Sequence, residues 1–143
     1  NAASLIGLAR HYKAVTFGDS IASTAAASFT YSAVALKPYS PVHVTGIRDG
    51  SANLTISWIR RTRSGGEWRD LVDASLAETT EAYEVDIMNG SSVVRTLSSG
   101  VASVSYNAAN QTTDFGSPQA SVLVRVYQLS SVVGRGYVAE ASI

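Results

Sequence analysis

From about residue 41 onward, apolar and polar positions alternate in short runs broken by turn residues, which predicts strands with one face buried. In LTISW, Leu54, Ile56 and Trp58 fall on one side and Thr55 and Ser57 on the other, as an antiparallel strand with one wet face requires. The preceding RDGSAN supplies an Asp-Gly turn. AYEVDIMNGSSVVRTL repeats the pattern, with Tyr83, Val85 and Ile87 inward and Glu84 and Asp86 outward. Asn89-Gly90 then turns the chain, because both residues tolerate positive φ, and residues 93–97 return. ASVSYNAA predicts a strand over 102–109 with Val104, Tyr106 and Ala108 on one side. DFGSPQ interrupts, and in SVLVRVYQL an outward Arg125 places Val122, Val124 and Val126 inside. The chain closes with a hairpin whose turn contains Gly134-Arg135-Gly136 and whose last strand is YVAEASI. Roughly seven short strands with turn signals between them predict an all-β sandwich.

Residues 1–40 differ. YKAVTFG and ASFTYSAVAL read as two strands, but the linking SIASTAAAS carries no packing pattern. LKPYSP is a stiff connection, since Pro38 and Pro41 fix their own φ and bias the residues before them to extended geometry. The reading is therefore a linker or the end of a preceding β domain over 1–40, a short β-rich or extended segment, followed by a β-sandwich over 41–143.

Bulk properties narrow the chemistry. Eleven basic residues balance eleven acidic ones in 143, so no global field favours nucleic acid or an anionic membrane. Without cysteine, disulfides, thiol chemistry and thiolate metal sites are excluded. No apolar run approaches the roughly 20 residues of a spanning helix, so membrane insertion is not expected. A chain starting at Asn1 is expected to be a piece of something longer.

Several residues are candidates for chemistry. Arg60, Arg61, Arg63, Trp68 and Arg69 cluster in WIRRTRSGGEWRD, which reads either as a cationic loop with an aromatic platform for a partner or glycan, or as a solvated hairpin tip partly neutralised by Glu67 and Asp70. Arg135 between two glycines suggests a phosphate cradle, but such a cradle needs a helix after it; YVAEASI is strand-like, which favours a turn. Arg125 and Glu140 are placed for a cross-strand pair. His11 and His43 have no carboxylate at ligand spacing; Asp49, Asp70, Asp73 and Asp114 read as turn residues. There is no calcium-loop pattern and no nucleophile elbow, so catalytic, cofactor and metal residues are all expected to be none.

Read together, ALKPYSPVHV, LTISWIRRTRSGGEWRD, EAYEVDI, VVRTL, DFGSP and VRVYQLSSVVGRGYVAEASI resemble the fibronectin type III-like module near the C-terminal end of the large tail-tip protein of alphaproteobacterial siphophages and gene transfer agents, the megatron or host-specificity protein. The likeness runs in order from residue 36 to 143, and RHYKAVTFG is similar to the family's lead-in. It implies a fibronectin type III-like, immunoglobulin-like sandwich with a structural and recognition role in distal-tail or baseplate assembly and host attachment. It further implies a virion location after assembly in the host cytoplasm, a homotrimeric parent, and as partners other tail-tip or baseplate proteins and a host-surface glycan or receptor. The family's longer chains carry a barrel resembling glycoside hydrolases that lies outside these residues, so no enzymatic role is expected. A carbohydrate-binding module is the alternative, with Trp68 and Tyr127 as its platform. Where a typical fibronectin type III domain has a tyrosine at the start of its penultimate strand, this chain has Val122, so the corner is expected to be fixed through residues 114–118.

Overall fold

The computed structural model describes residues 3–68 and 70–143. The chain divides into two compact units, Asn1–Ala35 and Leu36–Ile143.

The first unit is built on an antiparallel ribbon of β1 (Ala9–Tyr12) and β2 (Ala27–Thr30). Every residue of both strands is exposed. The first strand lies earlier than the expected YKAVTFG because Thr16 begins a turn, its carbonyl accepting from the Asp19 N–H; the second stops at Thr30, and a 3-10 turn forms at Val34–Leu36.

The second unit is two packed sheets. In chain order the strands are β3 (Val42–Arg48), β4 (Leu54–Ile59), β5 (Tyr83–Asn89), β6 (Ser92–Ser99), β7 (Ser103–Tyr106), β8 (Leu123–Ser130), β9 (Gly134–Arg135) and β10 (Ala139–Ser142), with one helix, α1 (Ala108–Phe115), between β7 and β8. One sheet has the order β3-β4-β7; the other has β10-β8-β5-β6, with β9 also pairing on β8. Alternation puts Leu54, Ile56, Trp58, Tyr83, Val85, Ile87, Val124 and Val126 in the space between the sheets, where Tyr106 and Val122 join them. Each such burial is worth about 1.5–3 kcal/mol. Trp58 and Tyr83 meet edge to face at 5.0 Å, the geometry the ring quadrupoles favour. The Asp49 turn forms as expected: its carboxylate accepts from the Ser51 and Asn53 N–H groups at 2.8 and 2.9 Å.

Two elements depart from the sequence reading. The strand expected over 102–109 ends at Tyr106 and gives way to α1, so Ala108 belongs to a helix. Asn107 caps that helix by accepting from the Asn110 N–H at 2.7 Å, and Gly116 ends it in the left-handed region with φ 84, the usual pair of helix stops. Asp114 is accordingly a helix residue rather than a turn residue. Its carboxylate takes Arg95 Nε at 2.6 Å and the Tyr106 hydroxyl at 2.7 Å, joining β6 and β7 across the open side of the sandwich. Buried Gln111 fastens the same corner by donating to the Ala52 and Tyr106 carbonyls and accepting from Arg48 and the Gln119 N–H.

The final strand is also broken in two. Both β9 and β10 pair with β8, and between them Gly136 donates to the Gln128 carbonyl while Tyr137 donates to that of Pro38. A Cβ at Gly136 would stand 2.6 Å from the Pro38 oxygen and 2.9 Å from the Gln128 oxygen, which is why this position is glycine. Gly134, with φ +71, completes the turn.

Candidate functional site

The long connection between β4 and β5, residues 60–82, holds the basic cluster, and its arginines fasten the loop to itself. Arg60 donates to the Asp73 carboxylate at 2.6 Å and to the Ala74 and Ser75 carbonyls at 2.7 and 3.1 Å. Arg63 bonds Glu78 at 2.9 Å and the Ala77 carbonyl at 2.9 Å, and the Glu78 side chain is only 4% exposed. Arg61 lies over the Tyr39 ring at 5.1 Å. The Ser75 hydroxyl donates to the Ser64 carbonyl at 2.6 Å, drawing the two arms together. A guanidinium whose N–H groups are already directed at carboxylate and carbonyl oxygens is a poor anchor for an incoming anion. Arg60 and Arg63 therefore act as internal pins, whereas sequence spacing alone left them open to a partner. Arg69 lies outside the described residues.

What the pins hold out is apolar. Trp68 is 97% exposed, Leu71 106% and Val72 61%, three large side chains within five positions. Leu71 and Ala77 sit at φ 60 and φ 57, a conformation that non-glycine residues adopt rarely and at a cost. Beneath the tip, Gly65, Glu67, Val72, Asp73, Ala74 and Ser75 line a shallow cavity of about 300 Å³. The sequence reading marked Trp68 but not Leu71 or Val72. Their signal was an apolar pair inside an otherwise polar connection with no alternating partner strand.

Arg135 is engaged inside the fold. It donates to Glu84 at 2.6 Å and to both oxygens of Asp86 at 2.6 and 2.9 Å, and it covers the Tyr127 ring at 4.5 Å. Thr96 adds a 2.6 Å bond to Asp86. Glu84 and Asp86 point away from the core as expected, yet Asp86 is 3% exposed because this arrangement buries it. Burial alone would raise the Asp86 carboxyl, but the Arg135 and Thr96 hydrogen bonds and the charges of Arg135 and Arg125 outweigh it and hold it below the ordinary carboxylate range. The phosphate reading fails on this geometry. Arg125 and Glu140 are cross-strand neighbours and pair at 2.6 Å, continuing the charged row across the sheet. Tyr127, the second residue of the glycan platform, lies beneath Arg135. His11 is on exposed β1 and His43 on β3, and among the described residues no three His, Asp or Glu side chains gather in a way that suits a metal ion.

Three strands β3-β4-β7 against four, β10-β8-β5-β6, with all pairs antiparallel, decide the architecture. The fold is a fibronectin type III-like sandwich. No family model matches the chain, and no curated protein sequence does. Among solved structures it is similar to domains d3–d4 of the rat CD45 extracellular region, at 11% identity and TM-score 0.49 over 96% of this chain. The chain spans 65% of that CD45 region. A myokine structure matches at 14% identity and TM-score 0.47, over 74% of this chain and 95% of its own length. The FN5 domain of Drosophila Lar matches at 11% identity and TM-score 0.43, over 74% and 94%.

Proposed function

We propose that this fibronectin type III-like domain is a structural and recognition module of a phage or gene transfer agent tail-tip protein. It holds the loop at 60–82 toward a neighbouring tail-tip or baseplate protein or toward the host surface, and it performs no chemistry of its own. The observation that carries the recognition role is the exposed Trp68, Leu71 and Val72 on a loop fastened by Arg60 and Arg63. A rigid base lowers the entropy lost on docking, and aromatic and aliphatic anchors supply most of the binding energy at protein interfaces. The resemblance of its motifs supports the tail-tip setting, with the distal tail of the virion as its location and a homotrimeric parent.

The setting is tested by immunogold labelling of purified particles with antibody to Leu36–Ile143: gold at the distal tail is expected, and gold on the capsid or none on the particle overturns it. The docking role is tested in particles whose parent protein carries Trp68→Ser with Leu71→Ser. Reduced adsorption or tail assembly with normal protein level is expected; unchanged particles refute it. The exposed Trp68 also favours a carbohydrate-binding reading, because sugars stack on such faces. Titration with host-envelope polysaccharide, abolished by Trp68→Ala, decides for that reading, and absence of binding decides against it.

A further inference from the structure

Two exposed apolar clusters, one in each unit, carry opposite charge. On the ribbon, pairing of Arg10 with Phe29 and of Tyr12 with Ala27 puts these four residues on one face. Phe29 is 56% exposed and Tyr12 53%, and Leu8, at the same parity just before β1, is 54% exposed. The opposite face holds Ala9, His11, Ser28 and Thr30, small or polar residues suited to water. The ribbon is thus one-sided, and an isolated two-stranded ribbon is marginal in water. Arg10 and Lys13 are its cations, against Asp19 alone among acids in residues 3–35.

The loop tip is the complement. Trp68, Leu71 and Val72 protrude, and residues 64–73 hold three carboxylates, Glu67, Asp70 and Asp73, against one arginine. The Asp73 side chain is 87% exposed while bonded to Arg60, so its outer surface remains open to a second cation.

We propose that the chain self-associates head to tail, the aromatic face of the ribbon in one copy receiving the Trp68, Leu71 and Val72 tip of a second copy, with Arg10 and Lys13 meeting Asp70 and Asp73. This rests on the reading of the tip as a docking surface and names what docks there. Like against like is disfavoured, because two ribbons would oppose Arg10 to Arg10 and two tips would oppose carboxylates. A contact between different surfaces either closes a ring or extends a chain of copies.

The test is sedimentation of the full chain between about 10 µM and 1 mM, the range suited to a small patch. The expected mass rises with concentration above that of a single chain. Trp68→Ser with Leu71→Ser removes the tip, and Tyr12→Ser with Phe29→Ser removes the ribbon face; all four residues are exposed, and an unchanged circular dichroism spectrum verifies the fold. Each variant alone is expected to stay monomeric, and a 1:1 mixture to pair and stop at the pair, because one intact surface of each kind remains. Arg10→Glu is expected to weaken association several-fold, and Asp70→Arg in the same chain to restore it. A single-chain mass over the whole range, or a mixture that does not pair, overturns the proposal. Binding of another partner through Trp68 under those same conditions would leave the docking role standing without it.

Discussion

Arg135 meets an Asp86 carboxylate that is 3% exposed, through two hydrogen bonds of 2.6 and 2.9 Å. Removing the arginine leaves a buried charge with Thr96 as its remaining close partner, so Arg135→Ala is expected to cost about 2–3 kcal/mol at neutral pH, below the range for fully buried pairs because the arginine is partly exposed. The pH dependence follows from the lowered Asp86 carboxyl. A carboxylate with a depressed folded-state pKa contributes stability that is present above its unfolded value, about 3.9, and is lost as pH falls through the folded value. Urea unfolding of both proteins at pH 7 and near pH 2.5 should therefore show the gap narrowing in acid; an equal gap at both would mean that Arg135 acts through packing alone. At this scale the sequence was only partly legible. Arg125 and Glu140 sit on adjacent strands at matching parity, so their pairing could be read directly. Asp86 is 49 positions from Arg135, on a strand that β8 separates from the last hairpin, and no local pattern announces such a partner.

The connection after β7 shows what alternation conceals at the scale of elements. VSYNAA keeps a period of two past the end of the strand, while the true signals were Asn107 and Gly116 flanking a helix-length gap. The helix also supplies the corner that a tyrosine at the Val122 position would have tied. Here the Tyr106 hydroxyl, pushed up mainly by burial and further by its bond to Asp114, reaches α1 from β7. Tyr106→Phe keeps the ring in the core and deletes that bond, so a loss of about 1 kcal/mol is expected in equilibrium unfolding; no change would mean that Arg95 and Gln111 hold the corner without it. Gly136→Ala tests the broken last strand. Its new methyl would press on two backbone carbonyls, at Pro38 and Gln128, neither the end of a flexible side chain. We expect a loss of about 2 kcal/mol or more, with hydrogen exchange quickening first at Tyr137, whose N–H donates to Pro38. A neutral substitution would place the segment around Pro38 farther from β8 than described. The glycines flanking Arg135 were legible as turn makers, but a close backbone approach leaves no mark in a single sequence.

Across the whole molecule, stability is unevenly distributed. Every residue of the buried cluster lies within Leu36–Ile143, where both sheets and the helix are complete. The ribbon strands β1 and β2 bury none of their residues. Because burial of apolar surface is the main favourable term in folding, the second unit should fold by itself and the first should not. Expressed alone, Leu36–Ile143 is expected to give a β-type circular dichroism spectrum and one cooperative urea transition with a slope of about 1–3 kcal/mol/M, normal for a small two-state domain. A predominantly helical spectrum or a gradual transition would contradict the sandwich. A synthetic peptide of residues 1–35 at low micromolar concentration should instead lack strand signal, since a two-stranded ribbon has too little to bury against the entropy of ordering it. If that peptide formed a stable hairpin, its aromatic face would need no cover, and the physical reason for seating a second copy there would be gone.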